Sequence, residues 1–224
     1  MVRVLLLLLM SASILLSAGA SWAAQPTPLE QRLNSWPNWQ LPGPLPRPAA
    51  QDDLIYPDWF EGLWELESID LDAPDDPPLR HQARFHRDPS GRLVGDRSFN
   101  ATSIGAAVFG NQLLRVETDP SSANRQMAQF RHDQRLETSV TGRRQETPGA
   151  SSFFADELVL QIMHGPGPPR LSRIETLSRY ERCGIDICAE QWQTSYAAPG
   201  ETLRDKAKSS HHFRLQLSPV KQNN

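Results

Sequence analysis

The chain has 224 residues, of which 38% are hydrophobic, 22% are charged and 8% are aromatic, and its formal net charge is −3. This composition predicts one globular domain and excludes a collagen-like chain, a coiled coil and a polytopic membrane protein. Because a nucleic-acid-binding surface needs an excess of basic residues, the near-neutral charge also excludes nucleic acid as the expected partner.

Residues 1–23 have the pattern of an export signal. A single arginine precedes an apolar run at residues 4–16, which is too short for an ordinary membrane-spanning helix. Small residues follow this run, and they predict cleavage after Ala23, with Ala20 and Ala24 as neighbouring alternatives. We therefore expect an exported protein of the periplasm or the thylakoid lumen, with no transmembrane segment after signal cleavage.

Residues 24–57 are predicted to form an extended arm. Their eight prolines are incompatible with a long helix or a central strand. A short helix is expected around Pro28 to Asn34. Two interpretations are open for Trp36 and Trp39: the indoles fold back onto the domain, which is favoured, or they dock on a partner.

Residues 58–218 are predicted to form an all-β domain, followed by a tail at residues 219–224. Phe60, Trp64 and Leu66 alternate with glutamates, as expected for a strand with one buried face. Similar alternation recurs along the chain between turn signals such as DPSG, DPSSAN and PGASS. Eight to ten strands without a convincing amphipathic helix between them predict an antiparallel up-and-down barrel or a sandwich, and we favour the barrel.

Cys183 and Cys188 are the two cysteines of the chain. In an oxidising compartment, this spacing around a glycine-containing turn predicts a hairpin disulfide. A redox pair or a metal site is disfavoured, because the spacing is not C-x-x-C and no second cysteine pair is present.

The sequence contains no recognisable catalytic motif. G-x-S-x-G, a glycine-rich phosphate loop and H-E-x-x-H are all absent. His211 and His212 are adjacent, so on a strand their rings point to opposite faces and cannot share one ion. No catalytic residue, metal or cofactor is predicted, and an enzyme would require a histidine to converge with an acid in a cleft.

Two polar motifs are the best candidates for a binding site. Arg97 lies in DRSFN and Arg125 lies in SSANRQ. A planar guanidinium suits bidentate bonds to a carboxylate or a phosphate. The alternative, which we favour, is a structural role in which each arginine ties a loop to an internal acid such as Asp96 or Glu146.

The segment FEGLWELES resembles the lipocalin kernel motif G-x-W, with Gly62 and Trp64 at the motif positions. The resemblance implies a lipocalin-like barrel in which the tryptophan closes the floor under a basic residue of the last strand. Arg214 is the candidate for that residue. The other lipocalin signatures are not recognisable in the chain.

A second resemblance spans most of the chain after the predicted signal. The order WPNWxLP, YPDWFEGLW, DRSFN, DPSSANRQ, VTGRRQE, FxxxExxxQ, ETLSRY and EQWQxSY is similar to an uncharacterised family of exported proteins from cyanobacteria, with relatives in plastids. The family has no established activity. The resemblance implies a periplasmic or thylakoid-lumen setting and an association with photosynthetic membranes.

These observations lead to two functional hypotheses. The first is a non-enzymatic binding module whose barrel holds a small apolar or amphipathic ligand, such as a lipid, pigment or isoprenoid. Its predicted ligand-binding residues are Phe130, Tyr180, Trp192, Arg97 and Arg125, and a register error of one residue would turn the strand residues outward. The alternative is an accessory or assembly protein of a photosynthetic membrane complex, acting through its tryptophan-containing arm and loops.

Overall fold

The computed structural model describes residues 25–201 and 205–221, so the predicted signal peptide lies outside the described residues. In these ranges the chain is predominantly antiparallel β-sheet, with two α-helices, α1 (Pro28–Asn34) and α2 (Arg97–Phe109). A two-stranded ribbon pairs β1 (Gln40–Leu41) with β11 (Asp205–Lys206). All other described strands belong to one sheet.

The strands of this large sheet are β2 (Gly62–Asp70), β3 (Leu79–Arg87), β4 (Leu93–Gly95), β5 (Leu113–Thr118), β6 (Arg125–Phe130), β7 (Arg135–Gly149), β8 (Ser152–His164), β9 (Arg170–Cys183), β10 (Asp186–Tyr196) and β12 (Ser209–Pro219). Their order is β4-β3-β2-β12-β10-β9-β8-β7-β6-β5. The sheet curls into a half-barrel, which confirms the predicted all-β, barrel-like fold. In the described ranges its end strands β4 and β5 are not hydrogen-bonded to each other.

Helix α2 follows β4, precedes β5 and packs against β3 and β5. It begins where the carboxylate of Asp96 accepts a hydrogen bond from the backbone N–H of Phe99, at 3.0 Å. Gly105 allows a close approach, because a Cβ there would lie 2.7 Å from the Leu113 side chain. The sequence shows no convincing amphipathic helix between the strands, and α2 was therefore not predicted. No residue of α2 is fully buried, so the helix has no strong apolar stripe to mark it in the sequence.

Both faces of the sheet carry buried apolar residues. The Phe60 cluster consists of Leu54, Phe60, Trp64, Ala83, Phe85, Leu93, Phe153, Ala155, Ile187, Ala189, Leu215 and Leu217. The Trp39 cluster consists of Leu29, Trp39, Phe154, Leu177, Trp192 and Tyr196. Phe153 and Phe154 are consecutive in β8, so the two clusters lie on opposite faces.

The N-terminal arm covers the second of these faces. Helix α1 has the predicted bounds, and a capping box between Thr27 and Glu30 fixes its start. The Trp39 side chain is only 1% exposed, and the Trp36 ring packs against it edge-on at 5.0 Å. The two indoles therefore fold back onto the domain, as the favoured interpretation expected.

The arm passes from one face to the other at β7. This strand continues beyond its pairing with β6, which ends at Ser139. The backbone N–H of Arg143 donates to the Pro46 carbonyl at 2.9 Å. A Cβ on Gly142 would lie 2.9 Å from the Cβ of Leu45, so only glycine leaves room for the arm.

Candidate functional site

The predicted aromatic ligand-binding residues do not converge. Tyr180 packs in the Phe60 cluster, with its ring 5.1 Å from Phe60. Trp192 lies in the Trp39 cluster and stacks on His212 at 4.9 Å. Tyr180 pairs with Ala189, and three further steps along β10 to Trp192 reverse the direction of the side chain. The prediction that these two residues line one pocket was therefore wrong.

Phe130 has a different environment from either of them. It is 7% exposed at the end of β6, and its ring meets Phe109 of α2 edge-on at 5.1 Å. This contact packs the end of the helix onto the sheet. Phe130 is a packing residue here and does not share a cavity wall with Tyr180 or Trp192.

The prediction that Arg214 covers Trp64 at the floor of the barrel is also wrong. Trp64 is 6% exposed in the Phe60 cluster, and its indole N–H donates to the Phe60 carbonyl at 2.7 Å. Arg214 pairs with Ile69, five residues further along β2, and therefore lies on the opposite face. Gly62 begins β2 with a φ of +125°, which favours glycine.

The structure joins Cys183 and Cys188 in a disulfide, with their Cα atoms 5.9 Å apart. The bond connects the end of β9 with the start of β10. Gly184, in the turn between them, has a φ of +73°.

Arg97 is held by acids of two other segments. Its Nε donates to Asp53 of the arm at 2.9 Å, and its guanidinium lies 3.4 Å from Glu157 of β8. Arg143 also donates to Glu157, at 2.7 Å. Burial alone would lower the pKa of Arg97, but the charges of Glu157 and Asp53 outweigh it and raise that pKa. Arg97 thus ties the start of α2 to internal acids, although not to Asp96 or Glu146.

Arg125 lies instead in the wall of an open cavity of about 780 Å³. Strands β5, β6 and β7 and the first turn of α2 form this cavity. Its lining residues are Ser98, Glu117, Thr118, Asp119, Pro120, Arg125, Gln126, Met127, Glu137, Thr138 and Ser139. The Arg125 side chain is 64% exposed and contacts Asp119 at 3.4 Å. Of the five predicted ligand-binding residues, Arg125 alone lines this cavity.

The cavity wall is anchored to its surroundings. Gln126 donates a hydrogen bond to the backbone carbonyl of Arg97 at 2.9 Å, which connects β6 to the start of α2. Hydrogen bonds from Ser121 lower the pKa of Asp119, so its carboxylate is ionised. Glu137 contacts Arg135 at 3.1 Å and His164 at 3.4 Å. The wall therefore offers hydroxyl, amide and charged groups around a single methionine.

A second polar feature is buried beneath the arm, and we call it the Arg32 cluster. It consists of Arg32, Asp156, Glu175 and Tyr196. Arg32 donates to Glu175 through Nε at 2.7 Å and Nη2 at 2.6 Å, and the Tyr196 hydroxyl donates to the same carboxylate at 2.6 Å. Burial, followed by the charge of Glu175, raises the pKa of the Tyr196 hydroxyl.

Asp156 is the unusual member of this cluster. The residue is 0% exposed, and neither of its carboxylate oxygens accepts a hydrogen bond from the described residues. Burial and then the charge of Glu175 raise the pKa of Asp156 well above its ordinary value. No sequence pattern indicated this cluster, because charged residues in a strand are normally interpreted as solvent-exposed.

Residues 48–220 match a family described as a domain of unknown function, DUF6816. The chain belongs to the DUF6816 family. No curated protein and no solved structure matches it.

The DUF6816 match includes every residue of the cavity wall and the part of the arm that carries Asp53. Helix α1 and Trp39 precede the matched region. Arg32 therefore lies outside it, although its partners Asp156, Glu175 and Tyr196 lie inside. In the described ranges of this DUF6816 protein, no helix has the length and apolar character needed to cross a membrane.

Proposed function

We propose that this DUF6816 protein is a non-enzymatic binding module that holds a small amphipathic ligand in the cavity formed by β5, β6, β7 and α2. The cavity itself is the observation that supports the proposal. Its volume of about 780 Å³ lies within the range of small-molecule sites. The interior at Tyr180, by contrast, is filled by the rings of the Phe60 cluster.

The cavity wall narrows the chemistry of the ligand. Hydroxyl and amide side chains such as Thr138 and Gln126 provide hydrogen-bonding partners, and Met127 provides an apolar contact. A wholly apolar ligand would displace the water that is bound to these polar groups and would offer no hydrogen bonds in return, which is unfavourable. The exposed guanidinium of Arg125 suits an acidic group on the ligand, in competition with Asp119 at 3.4 Å.

The binding proposal is tested by native mass spectrometry of the protein purified from its own host. We expect one small molecule per chain, which is then extracted and identified. A protein that is empty, and that instead co-purifies with a membrane complex, would contradict the proposal. That result would favour the alternative role as an accessory or assembly protein.

A cavity-filling substitution tests the location of the site. Ser139 is half-buried in the cavity wall, and Ser139→Trp would occupy much of the space with an indole. We expect this variant to fold and to lose at least about tenfold in affinity for the identified ligand. The matched control is Ser218→Trp, at a half-buried position of β12 outside the cavity, which should bind as the wild type does. Equal losses in both variants would place the ligand elsewhere.

We also propose that the protein is exported. The disulfide between Cys183 and Cys188 supports this, because such bonds persist in oxidising compartments. N-terminal sequencing of the protein from its host is expected to begin at Ala24. A mature chain that retains Met1 would contradict export through a cleaved signal.

A further inference from the structure

Three potential metal ligands meet at the corner between β2 and β12. Asp70 is the last residue of β2, Asp72 follows in the turn, and His211 lies near the start of β12. One donor atom from each residue lies within 4.8 Å of the donors of the other two. Asp70 pairs with Phe213, so His211, two residues before it, shares the same face of the sheet.

Backbone hydrogen bonds orient both carboxylates. The N–H of Asp72 donates to Asp70 Oδ1 at 2.9 Å, and the N–H of His212 donates to Asp72 Oδ2 at 3.0 Å. A further bond from the Leu71 N–H to the His212 carbonyl, at 2.8 Å, closes the corner. Each carboxylate keeps a second oxygen available, and groups that orient ligands in this way strengthen metal binding.

The imidazole of His211 is placed to complete the set. Its Nδ1 lies 3.5 Å from Asp70 Oδ2, and its ring stacks near Phe213 with centroids 6.0 Å apart. Two ligands about 2.0–2.2 Å from a tetrahedral ion are themselves separated by roughly 3.4 Å. The His211–Asp70 separation therefore matches the spacing of two ligands on one ion.

We propose that Asp70, Asp72 and His211 bind a divalent transition-metal ion, represented experimentally by Zn²⁺. Two carboxylates and a neutral imidazole offset the charge of a divalent ion, and this nitrogen and oxygen set suits zinc and its neighbours in the first transition series. Three protein ligands leave a coordination position open to water or an external group. The site lies outside the cavity of the proposed function and is independent of it.

The structure also explains why the sequence did not predict this site. Adjacent strand residues point to opposite faces, so His211 and His212 lie on opposite faces as predicted, and His212 stacks on Trp192 on the other side of the sheet. The partners of His211 are instead two aspartates at the far end of a different strand. Their approach depends on the pairing of β2 with β12, which connects distant parts of the chain.

The test is calorimetric titration of Zn²⁺ into chelator-treated protein purified without a histidine tag. We expect one zinc ion per chain and a thermal unfolding midpoint that rises with zinc concentration. Asp72→Asn and His211→Ala should each weaken binding by on the order of tenfold or more. The asparagine oxygen can still accept the bond from His212, and the His211 side chain is 47% exposed, so we expect both variants to fold.

Asp75→Asn provides the matched control. Asp75 is an exposed aspartate in the same turn, outside the three-residue cluster, and its replacement removes the same charge. This variant should bind zinc as the wild type does. The proposal is overturned if the wild type fails to bind millimolar zinc, or if His211→Ala and Asp72→Asn bind it as tightly as Asp75→Asn. Either result would leave Asp70 and His211 as neighbouring side chains only.

Discussion

Replacement of Arg32 by alanine is expected to lower the free energy of unfolding by about 3–5 kcal/mol, because it leaves a buried carboxylate without its cation. Glu175 is 0% exposed and receives two of its hydrogen bonds from the Arg32 guanidinium. The Tyr196 hydroxyl, at 2.6 Å, and the neighbouring carboxyl group of Asp156 would remain beside that carboxylate, and neither carries a positive charge. Desolvation of a charge that has no cation beside it is strongly unfavourable.

Urea-induced unfolding of Arg32→Ala and Arg80→Ala measures this effect against a matched control. Arg80 also donates two hydrogen bonds to a glutamate, both to Oε2 of Glu67, but its side chain is 71% exposed. An exposed ion pair contributes at most about 1 kcal/mol, so Arg80→Ala should be almost neutral. Similar decreases in the free energy of unfolding of the two variants would show that burial does not strengthen the contact between Arg32 and Glu175.

A double variant separates the loss of the ion pair from the penalty of an unpaired charge. Arg32→Met with Glu175→Gln removes both charges and keeps an oxygen that accepts from Tyr196. We expect this variant to recover much of the stability lost in Arg32→Ala, because the charge that Arg32 would leave unpaired on Glu175 is removed as well. A double variant as unstable as Arg32→Ala would instead indicate that the arginine contributes through packing against Trp39, whose ring lies 4.8 Å from its guanidinium carbon.

The sequence predicted those parts of the fold that depend on local signals. Alternation at Trp64 and Leu66 identified the first long strand, because both side chains pack in the Phe60 cluster. Phe60 was wrongly included in that strand, since it ends a short 3-10 helix at Asp58–Phe60. The short helix expected around Pro28 to Asn34 is α1, and the structure shows that a capping box between Thr27 and Glu30 fixes its start. Helix α2 was missed, since a helix without a buried residue carries little periodic signal.

The candidate sites were harder to predict because the sheet is covered on both sides. Tyr180 and Trp192 are both aromatic and both pack against a cluster, yet they lie on opposite faces. The alternation of side chains along a strand does not show whether one face of the sheet is buried or both are. Asp156 and Glu175 resemble solvent-facing strand residues until the arm that covers them is placed, and that placement depends on contacts between distant residues.

Asp156 makes the stability of the fold depend on pH, and the raised pKa of its carboxyl group gives the sign of that dependence. Its pKa is raised well above its ordinary value of 3.8, first by burial and then by the charge of Glu175. Folding therefore retains a proton that the unfolded chain releases at a lower pH. The contribution of Asp156 to stability is full below the unfolded-state pKa, and it is lost as the pH rises through the folded-state pKa.

Asp156→Asn is accordingly expected to stabilise the protein at neutral and alkaline pH. The amide has no charge to desolvate and does not repel Glu175. The free energy of unfolding of the variant should therefore exceed that of the wild type by about 1.4 kcal/mol for each pH unit above the unfolded-state pKa of Asp156, up to its folded-state pKa. Chemical unfolding from about pH 5 to pH 9 measures the difference. Asp76→Asn, at an exposed position, is the control and should follow the wild-type profile.

The opposite result would be a wild type that is more stable than Asp156→Asn by an amount that grows with pH. That result would contradict the prediction and show that Asp156 is ionised and stabilised in the folded state. The expected result has a structural consequence for the arm. While Asp156 is neutral, the Arg32 guanidinium balances the charge of Glu175 alone, whereas an ionised Asp156 would place a second buried negative charge beside the same cation and weaken its contact with Glu175. Protonation of Asp156 and docking of the arm should therefore be coupled, and protease cleavage in residues 25–45 should become faster as the pH rises. Asp156→Asn should remove that acceleration.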